Sequence, residues 1–189
     1  TFNLLPIAGV LSLGWNLKTL VILYWIENAF VGILAIPKLF LATDRGALGK
    51  SKGYQVIFFA THYATFWVMH GALIVYVLFA QGIPYRGNPI LFAIAALLLF
   101  GSHIASAAID FWMGRQYERA SALKMSLVPY ARVLPVHVFL AIAIVIFGPD
   151  ASPVVLASLV IAKLIIDGAT YLRVQSWYAK QPLADAQEP

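Results

Sequence analysis

All four histidines of the chain, His62, His70, His103 and His137, lie inside long apolar runs, as do Glu27, Lys163 and Asp167. An ionisable side chain at the centre of a hydrocarbon layer costs roughly 2.5 to 3.5 kcal/mol on insertion scales, so each of these needs a reason. The chain has no cysteine. Disulfides, thiolate nucleophiles and Cys-ligated metal centres are therefore excluded, and metal ligands are restricted to His, Asp and Glu. Counted along ideal helices from the expected basic ends, His62, His103, His137 and Asp167 share one level, about 12 to 13 Å deep, on four different helices. Three imidazoles and a carboxylate suit zinc or another divalent transition metal. Such an ion would ionise a bound water near neutral pH and direct it at a lipid or peptide carbonyl. A second layer holds Glu27 and Lys163 at about 20 Å and His70 at about 24 Å, which makes Glu27 and His70 the candidate proton-handling groups.

Helical phase supports a common interior. His103 shares a stripe with Ser106 and Asp110, His137 with Tyr130, Glu27 with Tyr24 and Asn28, and Asp167 lies between Lys163 and Thr170. Several plainer readings compete. Polar side chains commonly brace membrane helices by hydrogen bonding, and Lys163 and Asp167, four residues apart, are placed to neutralise one another. Asp110 falls near the interface, at about 3 Å. Haem b is a further option, since two histidines at equal depth supply axial ligands. Phe58, Phe59, Tyr63, Phe66 and Trp67 crowd His62, however, and favour a bare ion. The segment Gly101 to His103 invites comparison with intramembrane serine proteases. It fails, because no GxSxG pattern surrounds a serine and adjacent Ser102 and His103 point about 100° apart on a helix.

The elements that must position these groups are membrane helices. Hydrophobic residues make up 61% of the chain and charged residues 11%, far from the soluble average. In lipid only helices and closed barrels satisfy every backbone group, and runs of Leu, Ala and Ile without period-two alternation point to helices. The expectation is an all-α, polytopic integral membrane bundle of about six spans in a single domain over 1–179. The spans are placed at 1–13 (partial, the chain beginning within a helix), 17–41, 54–80, 90–112, 129–147 and 153–177. The segment 113–128 reads as an amphipathic interfacial helix, and 180–189 as a disordered tail. Lys38, Arg45, Lys50, Lys52, Arg115, Arg119, Lys124, Arg132, Arg173 and Lys180 gather on one side, against Lys18 and Arg86 on the other. Both termini are therefore expected in the cytoplasm. The net charge of +5 reflects this topology and not a nucleic-acid surface.

The segments YWIEN (Tyr24 to Asn28), HYATFWVMHG (His62 to Gly71), Ser102-His103 and PYARVLPVH (Pro129 to His137) resemble a bacterial integral-membrane family of unknown function. The likeness covers nearly the whole chain, with Ala64 standing where the family has glycine. It implies that the motif residues are the polar ones singled out by depth, and a location in the bacterial inner membrane, but no activity. The leading expectation is a metal-dependent intramembrane hydrolase acting on a lipid-like or small neutral molecule. Its ligands are His62, His103 and His137, with Asp167 as fourth ligand or supporting partner. The alternatives are a non-enzymatic or haem-binding subunit of a redox or photosynthetic membrane complex, and a proton or ion pathway through Asp110, Asp167, Lys163, His70 and Glu27.

Overall fold

A computed structural model describes residues 4–42, 51–80, 82, 85–147 and 151–180. Most of the loop expected over 43–53, part of the turns at 81–88 and 148–153, and nearly all of the expected tail lie outside them. The described residues form helices α1 (Leu5–Ser12), α2 (Leu17–Leu41), α3 (Lys52–Ala80), α4 (Pro89–Ser106), α5 (Ala122–Phe147) and α6 (Pro153–Ala179). Five stretches are long and apolar enough to cross a membrane: Leu17–Leu41, Lys52–Leu78, Pro89–Met113, Ala122–Phe147 and Pro153–Ala179. Their outward faces expose large apolar side chains such as Ile33, Ile57, Met69, Leu97, Val145 and Ile165, a pattern compatible with a membrane bundle.

Local chemistry sets the helix starts. Gly14, at φ +66°, makes the left-handed turn between α1 and α2 that a side chain would resist. Asn16 then caps α2 by accepting from the Thr19 amide at 3.2 Å. Asn88 caps α4, accepting from the amides of Ile90 and Leu91, and Ser152 caps α6 through Val155. Both caps precede a proline, whose missing N–H costs nothing at a helix start.

The connection between α4 and α5 departs from expectation. Residues 113–128 are not a separate interfacial helix. A wide π-helical turn, Ala107–Met113, extends α4, and a short 3₁₀ turn follows at Gln116–Arg119. The fifth helix then starts at Ala122 and runs through Pro129 and Pro135. Its first turns survive the prolines because Ala122 and Met125 are buried in the core, beside Ala120. The apparent amphipathic pattern of this stretch is thus that of a helix end against the bundle. Gln116 donates to Gln175 at 2.7 Å and Arg119 to the Tyr178 carbonyl at 3.4 Å, fastening the connection to α6.

The central helix is α2, which packs on α3, α4 and α5, while α6 packs on α5 and α1. Its contact with α3 is a reciprocal lock. Trp25 Nε1 donates to the Trp67 carbonyl and Trp67 Nε1 to the Trp25 carbonyl, at 3.1 and 2.9 Å, and the two rings stack 4.3 Å apart. Glycines let the helices approach: a Cβ on Gly32 would overlap the Tyr63 ring, and one on Gly71 would come within 2.5 Å of Trp25. Along the bundle, one apolar cluster gathers at the Leu17 end of α2 (Leu17, Leu20, Leu23, Leu140, Leu156, Val160) and another at the Leu39 end (Leu39, Phe59, Phe111, Met125, Tyr178). Gly32→Ala is expected to cost about 1 to 3 kcal/mol by overpacking. Gly101→Ala, with open space around it, should be neutral or slightly stabilising. Unfolding midpoints of the two variants in one detergent check the contrast.

Candidate functional site

Between the two apolar clusters lies a layer of charge. Four helices contribute to it, three of them through a stripe at helical spacing: Tyr24, Glu27 and Asn28 on α2, His103 and Ser106 on α4, and Lys163, Asp167 and Thr170 on α6, with Arg132 alone from α5. Glu27 Oε1 accepts from His103 Nε2 and from Lys163 Nζ, both at 2.9 Å. Lys163 also donates to Asp167 Oδ2 at 2.6 Å, and Asp167 Oδ1 accepts from Arg132 Nε at 3.2 Å. The relative exposures of Glu27, Lys163 and Asp167 are 3, 7 and 6%, so these pairs are held almost entirely away from water. Glu27 and Asp167 balance Lys163 and Arg132, and each of these charges touches one of opposite sign. That balance is what keeps buried ions tolerable.

The cluster is not fully satisfied. Glu27 Oε2, the Tyr24 hydroxyl and Asn28 Nδ2 are buried and have no hydrogen-bond partner among the described residues. An unmade bond at a buried polar group costs about 1 to 3 kcal/mol, and all three fall on the same stripe of α2. Lys163 Nζ sits 5.1 Å from the centre of the Tyr24 ring, a cation–π contact on the same side of the cluster.

From the end of the bundle that carries Lys38, Arg119, Lys124 and Arg173, a cavity of about 410 Å³ reaches the outer members of this cluster. His103, Arg132 and Asp167 line it, with Lys38, Asp110 and Tyr171. Asp110 accepts from Ser106 Oγ at 3.0 Å and from the Tyr171 hydroxyl at 3.3 Å. A smaller neighbouring cavity shares Lys38, His103, Ser106 and Arg132 with it. Glu27 and Lys163 line neither, so they act on the cavity through His103 and Asp167.

The residues expected as one metal site are divided among three places. His62 is exposed on α3, with Nδ1 2.6 Å from the Tyr130 hydroxyl, in a groove it shares with Phe58, Phe59 and Leu127. His137 Nδ1 donates to the Val133 carbonyl at 2.7 Å, and its ring meets that of His70 edge-on with centres 4.3 Å apart. His103 and Asp167 belong to the charge cluster, and both Asp167 oxygens are engaged. Among the described residues no group of three or more His, Asp or Glu side chains is disposed to hold a metal ion. The four residues as placed therefore do not fit a shared ion. Of the two expected proton-handling groups, Glu27 is in the cluster and His70 is not.

The start of α5 explains much of this redistribution. Moving it from Pro129 to Ala122 sets His137 about 10 Å deeper, level with His70 and out of reach of His62. The same shift carries Arg132 from the interface to about 15 Å inside the helix. In the sequence Arg132 reads only as one of the cations of the basic side, near the start of the span expected at 129–147, and not as a site residue. Its signal was the PYARV segment itself, an arginine flanked by apolar residues.

Fold and site together define a helical bundle of membrane-crossing dimensions with a charge-balanced interior cluster, reachable through a polar cavity at its basic end. The chain belongs to a family of unknown function, DUF6498, whose family model matches residues 1–184. No curated protein and no solved structure matches it.

Lys163→Met would leave Glu27 with His103 alone and Asp167 with Arg132 alone. It should cost about 3 to 5 kcal/mol, the usual penalty for breaking a buried pair. Combining it with Glu27→Gln should cost clearly less than the sum of the single changes, because together they remove opposite charges. Reversible denaturation in micelles measures the cycle, and strict additivity would show that the two residues do not act as a unit.

Proposed function

We propose that this chain is a multi-pass protein of the bacterial inner membrane with both termini in the cytoplasm. On this reading its basic-end cavity is an acid–base site, in which His103 handles a proton on a lipid-like or small substrate. The observation that carries the reading is the contact between His103 Nε2 and Glu27 Oε1 at 2.9 Å, with Lys163 on the same oxygen at 2.9 Å. An ionised carboxylate offers only lone pairs, so Nε2 must bring the proton, and in neutral imidazole Nδ1 is then the lone-pair nitrogen. Nδ1 makes no hydrogen bond to a described residue, and the ring lines the cavity. This is the relation of a base to the group that orients it.

Hydrolysis remains the simplest reaction. A water held at His103 Nδ1 gives up its proton as its oxygen attacks a carbonyl or phosphoryl centre. Glu27 stabilises the imidazolium, and the same proton then passes to the leaving group. The metal-dependent form of this reaction would need His62, His137 and Asp167 to leave their present partners, whereas the acid–base form uses contacts as they stand. A proton pathway is a second reading, favoured by the unbroken chain of polar contacts from His103 to Arg132. It must still cross the apolar cluster of Leu17, Leu20, Leu156 and Val160.

The test is a screen of carboxylic and phosphoric esters of amphiphiles with the protein in nanodiscs. His103→Ala should lower the rate about 10²- to 10⁴-fold, the usual contribution of a positioned acid–base group. His62→Ala should leave it within twofold. A rate that survives both His103→Ala and Glu27→Gln would overturn the assignment.

A further inference from the structure

We propose that the basic-end cavity binds an oxyanion of the phosphate class between Lys38 of α2 and Arg132 of α5. The proposal rests on reading that cavity as a substrate site, and names the group by which the substrate is held. Both side chains line the cavity alongside His103, and α2 and α5 are in direct contact. Their donors are largely unused. Arg132 spends Nε on Asp167, while its two terminal Nη groups make no hydrogen bond to a described residue.

The Lys38 side chain forms no hydrogen bond or ion pair with a described residue. Its ammonium lies 5.6 Å from the centroid of the Phe111 ring. The Asp110 carboxylate, which lines the same cavity, already accepts from Ser106 and Tyr171. The interior charges deeper in the bundle are matched one to one. Lys38 stands outside that balance, half-buried on the wall of the cavities that Arg132 also lines.

Two cations brought together in a partly dry cavity repel more strongly than in water. An anion between them turns that cost into a gain. A planar guanidinium that still offers its terminal Nη edge, beside a compact ammonium, matches a tetrahedral oxyanion: the arginine donates a pair of N–H bonds and the lysine supplies a point charge. The cavity, about 410 Å³, lies in the range of small-molecule sites and leaves room for more than the anion. Lys38 lies eleven residues beyond Glu27 on α2, about 16 Å along the axis towards the basic end. The charged group is accordingly held nearer the mouth, and the remainder of the ligand lies toward His103. A phosphomonoester lipid headgroup and a free phosphate both present this chemistry.

The experiment uses the full chain in nanodiscs of zwitterionic lipid. One arm titrates inorganic phosphate and follows the ³¹P resonance and the unfolding midpoint. The other replaces a fifth of the lipid with phosphatidic acid and follows retention of that lipid by native mass spectrometry. Lys38→Gln removes no ion pair and should fold as the parent does, and Arg132→Lys keeps a cation for Asp167. Saturable binding in either arm, weakened tenfold or more by Lys38→Gln and by Arg132→Lys, supports the subsite. The arm that responds identifies the source of the phosphate. Absence of binding in both arms, or binding that Lys38→Gln leaves unchanged, overturns it. That failure would not touch the acid–base assignment, which is decided by the rate of His103→Ala; conversely, a rate unaffected in His103→Ala would leave the subsite standing.

Discussion

The ion pair between Glu27 and Lys163 sets the terms for the rest of the bundle. Two unit charges 4 Å apart gain about 4 kcal/mol at an effective dielectric constant of 20, while removing each from water costs several kcal/mol. The pair by itself roughly breaks even at best. It is sustained by what surrounds it: His103 donates to the same Glu27 oxygen, Asp167 takes a second bond from Lys163, and Arg132 balances Asp167. His103 and Arg132 each recruit a further helix, α4 and α5. Satisfying one buried charge thereby fixes the register of α2, α4, α5 and α6 to within the length of a hydrogen bond.

The third helix is held differently. It gives nothing to the charge cluster and adheres to α2 by shape and by the exchange of indole N–H bonds between Trp25 and Trp67. Each bond goes to a backbone carbonyl, an acceptor that in a helix has a lone pair to spare, so the lock adds contact without taking any helical bond away. Gly32 and Gly71 set how near the two backbones come. Charge aligns one side of α2 and close packing the other. The polar side chains of α3, His62 and His70, are thereby left on its flank with Tyr130 and His137.

How much of this the sequence discloses follows from the physics of each signal. Long apolar runs bounded by Gly, Pro and Asn give the helices and most of their limits, because lipid permits little else. Stripes such as Tyr24-Glu27-Asn28 and Lys163-Asp167 are legible because four residues make one turn, and the pairing of Lys163 with Asp167 could be read from spacing alone. Depth was the weak link. Counting residues assumes a known helix start, and Pro129 looked like one because proline is favoured there. The structure continues the helix seven residues further back, since burial of Ala122 and Met125 outweighs what the proline withholds. One misplaced boundary moved His137 away from His62 and hid Arg132. The partners of His103 were beyond reach for another reason: which helices are neighbours is a matter of three-dimensional packing, and a single sequence carries no direct record of it.

The arrangement is also one-sided, and that bears on what it is for. Toward the Leu17 end, Leu20, Leu23, Leu140 and Val160 close over the cluster. Toward the basic end, His103, Asp167 and Arg132 stand at the wall of a cavity. A set of charges kept only to brace helices gains nothing from such access, because water at its edge weakens every pair it reaches. A pathway across the bundle would need a second opening, beyond the leucines. On the proposed reading, a site that receives a molecule from one side uses inner groups that are sealed and fix the charge, and outer groups with donors and an imidazole nitrogen that make no hydrogen bond to a described residue. Glu27 and Lys163 fill the first role. His103, Arg132 and Lys38 fill the second, and the division between them follows the boundary between dry core and cavity.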